Sequence, residues 1–195
     1  MCGVICWAFP MKIRCFIALE IPGEVREYIL KQINEVDNFR KLKWENSSKF
    51  HITLKFLGDV EETKIEEIKS VLEKFIADKK PVRLTLDRFG AFYRDKKPKV
   101  LWAGFKYNGA LADYQKELER RLSEVGFPVE RRKFSPHLTL YRVRERTEKS
   151  ILEKFNNHKF TEKTFTADEI LLVKSRLLPK GSVYEILERY NLKGK

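Results

Sequence analysis

The sequence predicts an α+β fold made of two similar lobes that share one core. Three observations carry that expectation. Stretches of period-two apolar alternation are interleaved with stretches at helical spacing, the second half repeats the order of the first, and no low-complexity linker divides them. At 195 residues, with 43% hydrophobic and 35% charged, the chain has a globular composition. It is long enough to bury a core without a disulfide or metal staple.

The elements follow in order. Residues 12–20 (KIRCFIALE) alternate and are rich in β-formers, so they read as a central strand, punctuated by Ile21-Pro22-Gly23. Over 22–37, Val25, Ile29, Ile33 and Val36 recur at helical spacing. Pro22 suits the first turn there, and Glu24 and Glu27 suit the positive end of the helix dipole. Residues 50–57 (FHITLKFL) form a second strand, closed by Gly58-Asp59. A helix over 62–77 aligns Ile65, Ile68, Leu72, Phe75 and Ile76, and strands at 82–88 and 99–105 come next. Leu111, Tyr114, Leu118, Leu122 and Val125 mark a helix that stops at Gly126. A strand over 134–143, a short helix over 147–155 and two strands near 170–177 and 183–190 complete the order. Leu178-Pro179-Lys180-Gly181 is the turn between the last two.

Residues 1–10 carry no charge and read as an extension ahead of Met11, which leaves 11–195 as the single bilobal domain. Forty Lys and Arg against 28 Asp and Glu leave a formal charge of +12, which attracts phosphate-rich partners. Cys2, Cys6 and Cys15 offer neither a disulfide framework nor a four-ligand zinc pattern. With no membrane-length apolar run and no secretion signal, the expected setting is a soluble cytoplasmic one. A Lys- and Glu-rich composition with two Gln and two Met follows the thermophilic pattern.

Two of the three histidines stand in matching tetrapeptides, His51-Ile52-Thr53-Leu54 and His137-Leu138-Thr139-Leu140, each inside an expected strand. Side chains alternate faces along a strand, so His51 and Thr53 share one face while Ile52 and Leu54 take the core face. His137 and Thr139 behave alike. Two imidazoles in one cleft suit a reaction that needs an acid and a base near neutral pH, and the two hydroxyls are placed to bond phosphate oxygens.

With CFIALEIP, FHITLKFLG, VLWAGF and FSPHLTLYRV, the chain from about Lys12 onward resembles the 2H phosphoesterase superfamily. Within it the chain is most similar to the LigT-like RNA 2′,3′-cyclic phosphodiesterases, once called 2′,5′ RNA ligases. The resemblance implies a bilobal fold with pseudo-twofold symmetry, a cleft between lobes, and hydrolysis without metal or nucleotide cofactor. It implies RNA ends with 2′,3′-cyclic phosphate as substrate, tRNA halves among them, and 2′-phosphate as product. It implies a monomer with no obligate protein partner and no membrane, and it makes His51 the proton donor and His137 the proton acceptor. The two motifs are too symmetric for sequence to assign those roles. An RNA 5′-hydroxyl in place of water would yield a 2′,5′ linkage.

By the same resemblance Arg142, five positions after His137, contacts the phosphate. Strict alternation puts it on the opposite face, so either the strand ends or bulges near Tyr141, or Arg142 reaches around the edge. Lys55 and Tyr141 share the parity of their motifs, which makes them candidates for phosphate contact and base stacking. His158 reads as structural, and the charged runs 94–99 and 130–133 as solvated loops, with RNA tracking as the alternative. Two other functions remain open. One is a non-catalytic RNA- or nucleotide-binding protein of the same fold; the other is a two-histidine metal hydrolase, which lacks the usual carboxylate or third His.

Overall fold

The computed structural model describes residues 11–38, 41–145, 147–179 and 181–193. The expected extension at 1–10, with Cys2 and Cys6, lies outside the described residues. The elements run β1 (Lys12–Glu20), α1 (Gly23–Val36), β2 (His51–Glu61), α2 (Ile65–Ile76), β3 (Val82–Arg94), β4 (Lys97–Phe105), α3 (Gly109–Glu124), β5 (His137–Arg142), α4 (Lys149–Asn157), β6 (Lys163–Ala167), β7 (Glu169–Leu178) and β8 (Gly181–Asn191). They form two antiparallel four-stranded sheets, ordered β2-β1-β7-β8 and β5-β4-β3-β6. The orders correspond strand for strand, β2 with β5, β1 with β4, β7 with β3 and β8 with β6, as the duplicated motif leads one to expect.

The helices tie the lobes together by crossing over. Helix α3 leaves the second sheet after β4, yet it packs on β2 and on α2, while α2 packs on β8. In the same way α4 packs on β3, and α1, which leaves the first sheet after β1, packs on α4. Neither lobe therefore has a private core, and one buried cluster runs through both sheets and all four helices. A second, smaller buried cluster of Phe16, Ala18, Leu171 and Val173 sits apart from it.

Several boundaries differ from the sequence expectation for identifiable reasons. Gly58 does not stop β2. It adopts φ 75° at an irregularity opposite Cys15 and Phe16, and the strand continues to Glu61. Strands β3 and β4 extend toward each other and meet in a hairpin whose turn residues Asp95 and Lys96 have φ of 52° and 58°, so most of the charged run 94–99 forms this tip. Strand β6 was not foreseen, because only Phe165 and Ala167 in KTFTA face the core and the segment is short. Helix α3 starts where it should, capped by the Asn108 side chain accepting from the Leu111 N–H at 2.8 Å.

The motif strands owe their orientation to burial. Ile52, Leu54, Leu138 and Leu140 are at most 3% exposed. Burying each contributes about 1.5–3 kcal/mol, and a one-residue slip in register would forfeit all of it. The same constraint turns His51, Thr53, His137 and Thr139 to the other face.

Candidate active site

Strands β2 and β5 occupy corresponding edges of their sheets and lie against each other. His51, Thr53, His137, Thr139 and Arg142 consequently line one cavity of about 570 Å³. Both imidazoles are anchored in the same manner. The Nδ1–H of His137 donates to the Ser135 carbonyl at 2.8 Å, two residues back, and the His51 ring bonds to the backbone of Lys49, also two residues back. A carbonyl only accepts, so this bond fixes the His137 tautomer with the proton on Nδ1 and leaves Nε2 free to work.

Aromatic rings hold the imidazoles in place. Phe16 stacks on His51 with centroids 4.8 Å apart, and Tyr184 meets His51 edge-on at 5.5 Å. Phe92 meets His137 edge-on at 4.7 Å. Burial removes water from the rings and disfavours their charged forms. His51 is pushed down to about 4, chiefly by burial and further by positive charge on His137 and Arg26, against the opposing effect of the Lys49 hydrogen bond. Burial also lowers His137, with Arg142 adding to the shift. Burial thus favours the uncharged form of both rings. A negative charge placed beside them would favour protonation of both.

A bulge settles the position of Arg142. Trp102 pairs with Thr139 but the preceding Leu101 pairs with Tyr141, so Leu140 is the extra residue on β5. Parity changes there, Tyr141 turns into the core, and Arg142 turns into the cleft. Strand β2 repeats the device: Ala18 pairs with Thr53 and Ile17 with Lys55, which leaves Leu54 as the extra residue. Phe56 then faces the cleft at the position equivalent to Arg142.

The same bulges correct two expectations. Lys55 does not reach the cleft; it is 6% exposed, and its ammonium donates to the Glu119 carboxylate and the Pro128 carbonyl. Tyr141 is equally buried, packs against Trp44 and shares a 3.0 Å hydrogen bond with the Thr147 hydroxyl, so it offers no face to a base. His158 is structural as expected, its Nε2–H donating to Gln32 Oε1 at 3.0 Å. Among the described residues no group of three or more His, Cys, Asp or Glu gathers as a metal would need.

Sequence reasoning missed Phe16, Tyr184 and Arg14, which also line the cavity, and gave Arg132 only as part of a charged run. Alternation along β1 would have placed Phe16 beside the motif strand. No motif marks Tyr184, which reaches the site from the far edge strand β8.

The family model described as the 2′-5′ RNA ligase superfamily matches residues 27–177. The RNA 2′,3′-cyclic phosphodiesterase of Methanocaldococcus jannaschii is 35% identical over 91% of this chain and 99% of its own length. That of Thermotoga maritima is 32% identical over 93% of this chain and 96% of its own. Among solved structures, TT0787 of Thermus thermophilus superposes with a TM-score of 0.77 at 26% identity, covering 94% of this chain and all (100%) of that one. E. coli LigT complexed with 3′-AMP has the same fold, with a TM-score of 0.75 at 23% identity over 93% of this chain and 98% of LigT. With the duplicated histidine motif seated on corresponding strands of two matching sheets, these likenesses establish that the chain belongs to the 2′-5′ RNA ligase superfamily of 2H phosphoesterases.

Proposed function

We propose that this protein is an RNA 2′,3′-cyclic phosphodiesterase that opens a terminal cyclic phosphate to a 2′-phosphomonoester. The observation that carries this reading is the pair of backbone-anchored imidazoles facing one cavity, with a hydroxyl beside each and the guanidinium of Arg142 on the same strand as His137. Relatives that match nearly the whole chain and bear that name support it.

In-line displacement at phosphorus needs a base on the attacking oxygen and an acid on the leaving oxygen, on opposite sides of the phosphate. His137 takes a proton from water as the water oxygen bonds to phosphorus. The bond from phosphorus to the 3′-oxygen breaks, and His51 gives its proton to that oxygen. The Thr53 and Thr139 hydroxyls donate to the non-bridging oxygens, whose charge Arg142 stabilises. In the bound state the phosphate charge opposes the desolvation that keeps His51 neutral, which supplies the protonated acid. An RNA 5′-hydroxyl in the place of water leaves a 2′,5′ diester by the same proton transfers.

Alanine at either histidine tests the reading. His51→Ala and His137→Ala are each expected to lower turnover of an RNA ending in 2′,3′-cyclic phosphate by about 10²–10⁴-fold, the usual contribution of a positioned acid or base. Circular dichroism checks that the fold persists. More than a tenth of wild-type turnover in either folded variant would refute the assignment, and RNA binding without wild-type turnover would favour a binding protein of the same fold.

A further inference from the structure

The bulge that aims Arg142 into the cleft is held from outside its own sheet. Strand β5 lies at the sheet edge, and Leu140, its extra residue, is fully buried with no opposite number on β4. A buried carbonyl at that place needs a donor. Glu45 supplies it, its backbone N–H donating to the Leu140 carbonyl at 2.8 Å. One residue earlier, the Trp44 ring packs on Tyr141 with centroids 5.6 Å apart, and so keeps on the core side the residue that follows the bulge. Trp44 and Glu45 thus grip the two positions at which the parity of β5 changes.

Residues 41–45 have no helix or strand of their own to fix them. Asp37, at the C-terminal end of α1, does so instead. Its carboxylate is 3% exposed. Oδ1 accepts from the Lys41 N–H at 3.0 Å, and Oδ2 accepts from the Leu42 N–H and the Trp44 indole N–H, each at 2.9 Å. Burial works against ionisation there, yet the N–H groups of Leu42, Trp44 and Lys41 outweigh it and hold the carboxyl below its ordinary range.

We infer that Asp37 is a positioning residue for Arg142: by clasping 41–45 it holds the β5 bulge, and the bulge holds the guanidinium in the cleft. The inference rests on the phosphodiesterase reading, in which Arg142 meets the phosphate of the substrate. Asp37 does not line the cavity, so it acts on the reaction through the chain it holds. Without the clasp the Leu140 carbonyl loses its donor and Tyr141 its packing partner. A β5 in strict alternation would then turn Tyr141 toward the cleft and Arg142 away from it. An amide is no substitute for the carboxylate. Both oxygens accept, so the NH2 group of an asparagine would face an N–H donor.

The test is a double-mutant cycle read by the inhibition constant of inorganic phosphate during hydrolysis of an RNA ending in 2′,3′-cyclic phosphate. That constant does not depend on what fraction of a preparation is folded. Arg142→Gln is expected to weaken inhibition about ten- to a hundredfold, the range of charge-assisted hydrogen bonds to an anion. Asp37→Asn is expected to weaken it about fivefold or more, as a misplaced binding group does. In the Arg142→Gln background the same change is expected to matter by less than about twofold, because the group it positions is already gone. Trp44→Phe removes one donor to Asp37 and keeps a ring on Tyr141. It is expected to give the same pattern at smaller amplitude, and it carries the test if Asp37→Asn does not fold. Equal weakening by Asp37→Asn in both backgrounds, or inhibition unchanged in both Asp37→Asn and Trp44→Phe, would overturn the positioning role alone. No opening of the cyclic end by wild type would overturn the phosphodiesterase reading, and the positioning role with it.

Discussion

His51 is pressed between Phe16 and Tyr184, and the loss of water there sets its chemistry. In the free protein its value falls to about 4 and that of His137 also lies below the ordinary 6.5. In the proposed mechanism the active form carries one proton, on the acid and not on the base. The rate therefore rises with pH as the base loses its proton and declines as the acid loses its own, both limbs belonging to the coupled pair. Since kcat/KM reports the free enzyme, it is expected to peak below pH 6.5 and to fall above it. Bound phosphate raises both groups, so kcat is expected to peak at higher pH. Paired pH profiles check this, and two curves that peak together above about pH 7 would contradict it. At this scale the sequence was most informative: alternation with a duplicated motif sufficed to place His51, Thr53, His137 and Thr139 on the working faces. Lys55 and Tyr141 were misplaced because parity held only as far as Leu54 and Leu140.

Those two leucines make the bulge the decisive feature of each motif strand. A bulge re-aims every side chain beyond it, which is how Arg142 comes to face the cleft and Lys55 the interior. It leaves little trace in sequence, since Leu54-Lys55 and Leu140-Tyr141 are compatible with either parity. The interior position of Lys55 requires the Glu119 carboxylate of α3, which also accepts from the Glu130 N–H at 3.1 Å. This pair joins β2 to a helix that leaves the other sheet. Lys55→Met is expected to cost about 3–5 kcal/mol by leaving Glu119 buried and unpaired, and adding Glu119→Leu is expected to recover most of it. Urea unfolding of the single and double variants measures both. A single variant within about 1 kcal/mol of wild type, in the range of exposed pairs, would contradict the account.

Across the whole molecule, one repeated plan is put to unequal use. The α+β class, the strand and helix order and the two lobes were legible because hydrophobic period and the duplicated motif are local signals. The crossing of α3 onto β2 of the first sheet and of α1 onto α4 was not, since it depends on which apolar faces meet after folding. The +12 charge acquires an object in the cleft, where Arg14, Lys49, Arg132 and Arg142 line the same cavity as the histidines. In the proposed mechanism charge, cavity and paired imidazoles serve one step, the breaking of the bond to the 3′-oxygen with its proton supplied by His51. The direct measurement is to incubate the protein with an RNA ending in 2′,3′-cyclic phosphate and identify the product end by phosphorus NMR. A 2′-phosphomonoester is the result expected, and a 3′-phosphomonoester, or a cyclic end bound but unopened, would contradict it.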